Sequence, residues 1–197
     1  MKTMKIQNLA ALYVLFVVMA VCACSGKKYP TISESKQVQL VEKAGKSLDE
    51  LYGISPKAKD LRSHVAGILV FPDVIKAGFI VGGSGGNGVL FARDGRILGY
   101  YNLAALSYGL QFGAESFSEA MFLATPEAFK YLDSSDGWSI GAGPNVVVVD
   151  SGMGKDLSST TLRSDVFAFI YGQKGLMAAI GLNGQKITKL RPSGKNR

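Results

Sequence analysis

Cysteine is nearly absent from this 197-residue chain: there are two, Cys22 and Cys24, both close to the N-terminus. From Ser25 to Arg197 there is none, which excludes a disulfide or a thiolate metal site in that stretch. Histidine is limited to His64. One imidazole does not make a metal site, and the HExxH and EF-hand spacings are missing. Long blocks of basic residues are missing as well, and no basic–aromatic ribbon stands out, so nucleic acid is not an expected partner. Only 126–133 offers a helix between consecutive strand-like stretches. That scarcity argues against a doubly wound parallel sheet.

The N-terminus is distinctive. Lys2 and Lys5 precede an uncharged run from Leu9 to Ala23. As a helix it would reach roughly 22 Å, short of the ~20 apolar residues that a membrane span needs. Short, apolar and preceded by lysines, it reads as the core of a secretory leader. Its end, Val21-Cys22-Ala23-Cys24, resembles the lipobox of bacterial lipoproteins. Val21 takes the branched apolar place three before the cysteine, and Ala23 the small place just before it. The resemblance implies cleavage after Ala23 and acylation of Cys24. The competing reading is an ordinary leader that happens to end in Cys, or an uncleaved anchor. The 22 basic residues fall to 20 when Lys2 and Lys5 leave, against 15 acidic ones, a net charge of +5. That mildly favours anionic lipid.

Two helices are expected next. Thr31 and Glu34 have capping-box spacing, and Val38, Val41, Ala44, Leu48 and Leu51 recur at three- and four-residue steps, with Gly53 at the stop. The charges along this helix cancel, so its stripe is expected to dock on the protein. Ser55-Pro56 starts a second helix running to about His64, with Lys57, Lys59 and Arg62 against Asp60. From Val65 onward the pattern is β: 67–71, 77–83, 88–93, 96–106, 108–115, 118–125, 138–143, 145–150, 163–172, 176–182 and 185–190. Asp94-Gly95 and Asn183-Gly184 are hairpin signals. A short helix begins at Thr125-Pro126-Glu127, and 151–162 reads as a polar loop. The fold class expected is α+β, with two N-terminal helices on a strongly bent, mostly antiparallel sheet, barrel- or sandwich-like. The 24 glycines suit sharp bends and close strand crossings.

Two motifs suggest chemistry and lack its context. Gly82-Gly83-Ser84-Gly85-Gly86 matches G-x-S-x-G, but a strand-like segment follows where a helix is needed, and His64 lies upstream. Gly83, Gly85 and Gly88 match G-x-G-x-x-G with the same defect.

From Val65 the chain resembles the SYLF, or Ysc84 actin-binding, domain family. The match rests on Ala66-Gly67-Ile68-Leu69-Val70-Phe71-Pro72 with Asp73-Val74-Ile75-Lys76-Ala77-Gly78-Phe79, then the glycine-rich 82–88 with Val89-Leu90-Phe91. Leu106 to Gly113, Ser118 to Leu123, Ile170-Tyr171-Gly172 and Lys174 to Ala178 extend it, to roughly residues 36–190 in all. Ala66 departs from the usual lysine there. Eukaryotic members bind phosphoinositide membranes and in some cases actin; the resemblance therefore implies affinity for anionic phospholipid or a related amphiphile. The expected organisation is a signal peptide over 1–23, a lipidated tether over 24–32, a SYLF-like domain over 33–191 and a flexible tail over 192–197. The expected role is a non-enzymatic, lipid-binding envelope lipoprotein without a cofactor, on the periplasmic face of the outer membrane. Anchored at Cys24, it would meet lipid through Lys57, Lys59, Arg62 and Lys76. The alternative is an envelope scaffold that binds other envelope proteins.

Overall fold

A computed structural model describes residues 30–134, 138–139, 144–149, 164–175 and 185–193. The leader, Cys24, loop 151–162, the segment 176–182 and the Asn183-Gly184 turn lie outside the described residues.

The chain enters through a two-residue strand, β1 (Thr31–Ile32), and turns into helix α1 (Glu34–Ile54). Thr31 is thus a strand residue, and Ser33 occupies the N-cap with no side-chain cap bond. Gln37 ties the start down instead, its Nε2 donating to the Ile32 carbonyl at 3.1 Å. The apolar stripe docks as its spacing requires: Ala44 and Leu51 are buried, and Leu40, Val41 and Leu48 pack beside them. Val38, expected in that stripe, is 65% exposed. Helix α2 (Pro56–Leu61) follows at once and runs into a 3-10 turn (Arg62–His64). Ser55 caps it, its hydroxyl accepting from the Ala58 amide, with proline at the first helical position.

The sheet is dominated by one long ribbon. Strand β2 (Gly67–Ala92) and strand β3 (Ile97–Leu123) pair antiparallel along their whole length. The several short strands expected over 67–125 are therefore two. Glycine-rich 82–88, where one expected strand ends and the next begins, is the middle of β2, with Ser84 opposite Ala105. Glycines read as breaks in a sequence. Here β3 supplies hydrogen bonds throughout, and the glycines serve where backbones come close. A Cβ on Gly86 would fall 2.7 Å from the Asp73 carbonyl oxygen, and one on Gly88 2.6 Å from the Phe71 ring. The second half of β2 is thus pressed against its first half. The true turn is at Asp94-Gly95, as expected, with Gly95 at φ +86 and the Ala92 amide bonded to the Arg96 carbonyl.

Helix α3 (Pro126–Leu132) is capped by Thr125, which accepts from the Ala128 amide. Short strands β4 (Trp138–Ser139) and β5 (Val146–Val149) precede β6 (Val166–Gly175) and β7 (Gln185–Pro192). Strand β7 pairs with residues 100–105 of β3, and β6 with 115–123. The described order is β1-β7-β3-β6-β5, with β2 along β3 and β4 on β7. The architecture is the expected α+β one. The sheet is mixed, since β1 joins β7 and β5 joins β6 in parallel, and among the described residues it is bent without closing.

Alternation divides the sheet into two faces. Leu69, Phe71, Phe117, Met121, Leu123, Val166, Ala168 and Ile170 point into the bend, where Tyr101, Leu103 and Ile187 from the other half of the ribbon meet them. Ile68, Val70, Ala120, Phe122, Phe167, Phe169 and Tyr171 point to the helices and pack with Ala44, Leu51, Ala58, Leu61 and Val65. Phe122 and Phe169 meet edge-to-face at 5.2 Å. Each such buried side chain contributes about 1.5–3 kcal/mol.

Among the described residues, one carboxyl group is fully enclosed in the bend. Glu119 has no exposed surface; Gln185 Nε2 donates to its Oε2 at 3.1 Å, while its Oε1 has no hydrogen-bond partner among the described residues. Burial pushes its carboxyl up to about 7, a hydrogen bond from Gln185 offsetting part of the rise. The native state therefore keeps a proton that the unfolded chain releases near pH 4.5. Stability is expected to fall as pH rises from about 4.5 to 7, by roughly 3 kcal/mol from this residue. Urea unfolding across that interval checks it, and Glu119→Gln is expected to flatten the decline. Gly88→Val is expected to cost about 2 kcal/mol or more through overpacking against Phe71, read from the same unfolding curves.

Candidate functional site

Two strand irregularities lie at the same level of the sheet, one on each side of β3. Between Phe71 and Val74, Pro72 and Asp73 of β2 face the single residue Ser118. Between Tyr171 and Lys174, Gly172 and Gln173 of β6 face the single residue Phe117. Each is a bulge, with one extra residue on the outer strand, and bulges re-aim side chains. Proline is tolerated at the first because it need not donate to the ladder there. The Ser118 hydroxyl pins it, donating to the Pro72 carbonyl at 2.8 Å. Gly172 takes φ +66 at the second.

Over this pair of bulges passes α1, and a cleft of about 260 Å³ opens between them. Lys43, Lys46 and Lys174 are its cationic members; Glu50 and Asp73 are its acidic ones. Ser47 forms part of its wall, sharing a 2.8 Å hydrogen bond with the Tyr171 hydroxyl; burial pushes that phenol up to about 12. The bulge turns Asp73 outward, so that Lys43 Nζ reaches its Oδ2 at 2.6 Å. The two side chains are 61% and 59% exposed, so this pair contributes only about 0.2–1 kcal/mol. Lys46 is paired with Glu42 one turn earlier, and its hydrogen bond holds that carboxyl below its usual range. Beyond the Lys43–Asp73 pair lies a second cleft of about 330 Å³, bounded by Ile32, Leu40 and Ile75 with Lys36 and Gln39.

The expected lipid-contact residues separate into two groups. Lys59 and Arg62 are exposed on the helical corner formed by the end of α1, α2 and the 3-10 turn, and Lys57 is half-buried beside them. The Arg62 guanidinium lies 5.7 Å from the centre of the Tyr52 ring, and Ile54 is 50% exposed at the same corner. Lys76 does not belong with them. Its side chain is 11% exposed, and its Nζ is 3.4 Å from Glu115 Oε1, a carboxylate 3% exposed. It is a buried ion-pair partner, because the bulge at Pro72-Asp73 shifts the alternation of β2 and brings position 76 opposite position 115. Cys24 lies outside the described residues.

The motif positions resolve as strand and helix-end residues. Ser84 is in mid-strand. His64 is exposed, its Nδ1 2.9 Å from the Ser63 hydroxyl and 3.1 Å from the Asp60 carbonyl oxygen. The clefts were not singled out by sequence reasoning. The available signals were Pro72-Asp73 and Gly172, each interrupting an apolar strand pattern.

No family model matches the chain. Curated proteins do. Over 155 residues, 73% of this chain, it is 32% identical to the SH3 domain-containing YSC84-like protein 1 of Bos taurus and to that of Mus musculus. It is 31% identical to the Homo sapiens protein over the same length. The chain belongs to the YSC84-like, or SYLF, family. It spans less than half of these relatives, 45% of their length, so what the whole relatives do is not thereby established for this SYLF protein.

The buried pair in the SYLF body makes a sharp test. Lys76→Ala leaves Glu115 buried and unpaired, and is expected to cost about 3–5 kcal/mol. Thermal unfolding of Lys76→Ala against the double change Lys76→Met with Glu115→Leu checks it, the double change recovering most of the loss.

Proposed function

We propose that this SYLF-family chain is a non-enzymatic, acyl-anchored envelope protein whose domain binds anionic phospholipid surfaces. The observation that carries the reading is the helical corner. Ile54, half exposed, ends α1, and Lys57, Lys59 and Arg62 follow within the next eight residues, with Asp60 as the acid within α2. An exposed apolar side chain at a helical corner that also carries cations suits a headgroup layer: the cations take the phosphates while the isoleucine enters the acyl boundary. Arg62, lying over Tyr52, presents its guanidinium from a supported position. The lipobox-like Val21-Cys22-Ala23-Cys24 and the net charge of +5 after its cleavage support the same reading. Ser25 after the cysteine resembles the pattern of outer-membrane lipoproteins, and the periplasmic face of that membrane is the proposed location. An anchored protein does not need its domain for recruitment, so the corner would hold or bridge a second lipid surface.

The chain from Ser25 onward, which lacks the acylated cysteine, is expected to float with vesicles of phosphatidylglycerol and phosphatidylcholine, and not with phosphatidylcholine alone. Binding is expected to weaken with salt, and the change Lys59→Ala with Arg62→Ala to weaken it about 30-fold, from ~1 kcal/mol per cation. No flotation with the anionic vesicles at low salt would sink the reading.

A further inference from the structure

Away from the helical corner, the cleft over the two bulges and the groove beyond it have complementary linings and a shared wall. Lys43, Pro72 and Asp73 border both. On one side stand Lys46 and Lys174; on the other stand Ile32, Leu40 and Ile75. Ile75, 62% exposed, offers its aliphatic side chain to this groove. Each space alone is at or below the small end of the usual range for a ligand cavity, ~300–1,000 Å³; joined, they fall inside it.

We infer that the two spaces are one site for a single-chain anionic amphiphile, its acidic headgroup among Lys43, Lys46 and Lys174 and its chain against Ile32, Leu40 and Ile75. The Lys43–Asp73 ion pair is the bar across the middle. It is short at 2.6 Å but solvent-exposed on both sides, so an anion arriving at Lys43 displaces Asp73 at little cost. Lys46 keeps Glu42 as a partner and contributes by proximity, while Lys174 comes from the bulged edge of β6 on the opposite wall. Glu50 stands in the same cleft and adds negative charge there, which selects a compact headgroup such as a single phosphate monoester over a polyanion. This site is separate from the Lys59–Arg62 corner and takes one molecule, where the corner meets a surface.

The test uses the full chain in phosphatidylcholine nanodiscs and an alkyl phosphate carrying a photoreactive group at the end of its chain. Crosslinks mapped by mass spectrometry are expected within 31–40 and 75–87. Asp73→Asn is expected to raise labelling at limiting probe about three- to fivefold, by freeing Lys43 from an exposed pair. Lys43→Ala with Lys174→Ala is expected to lower it about tenfold, and Ile75→Asp to abolish labelling in both segments. Labelling elsewhere on the domain, or indifference to Asp73→Asn, overturns the proposal. Inorganic phosphate competing as well as unlabelled alkyl phosphate shows a free-anion site and overturns it too. Equal labelling by an uncharged alkyl probe does the same. Since these changes leave Lys59 and Arg62 in place, vesicle flotation is expected to be unaffected by Asp73→Asn, so failure here is distinct from failure of the surface-binding reading.

Discussion

The structure depends on one constraint: a ribbon of two very long strands has both faces to bury. Strands β2 and β3 are 26 and 27 residues long, far beyond the usual ~5–6. A flat ribbon of that length would leave its apolar face in water. Bending it back lets Tyr101 and Leu103 from one half share a core with Phe117 and Met121 from the other. The bend brings β2 so close to itself that residues 86 and 88 have no room for a side chain. The helices then cover the outer face, which is why Phe167, Ala168, Phe169, Ile170 and Tyr171 form an unbroken apolar run: both sides of β6 are buried.

The bulges follow from the same constraint and give the domain its clefts. A strand that bends while keeping its partner must take up extra residues, and β2 and β6 both do so beside Phe117 and Ser118. On the helix side they hold the sheet away from α1 and turn Asp73 toward Lys43. On the inner side the shifted alternation draws Lys76 in against Glu115, as an ion pair without hydrogen-bond geometry at Glu115 Oε1. Such a pair contributes little net stability while intact and a large penalty when halved. Its tolerance here fits an interior that also holds Glu119 and Gln185, polar groups carried by the same ribbon and its partner strand.

Much of the architecture was legible in residue order. Proline after a capping hydroxyl placed α2 and α3, Asp94-Gly95 placed the one tight turn of the ribbon, and the three- and four-residue spacing of Ala44, Leu48 and Leu51 placed the docking face of α1. The family was legible from the motifs around Gly67–Phe79 and Ile170–Gly172. Continuity of the long strands was not, because glycine marks both a break and a close approach, and only a partner strand decides between them. Thr31 illustrates the same limit: its capping-box spacing is local, and pairing with Arg191 from the far end of the chain overrode it.

The sequence by itself determined the class, α+β, the order of helices before sheet, the family and the thiol-free body, since these rest on composition, periodicity and short motifs. Tertiary structure alone decided which lysines meet solvent. Lys59 and Lys76 are indistinguishable as letters, each beside apolar residues in a mixed segment. One stands on a helix end and stays in water. The other follows a bulge whose one extra residue shifts the alternation of its strand, and the shift carries its charge into the core.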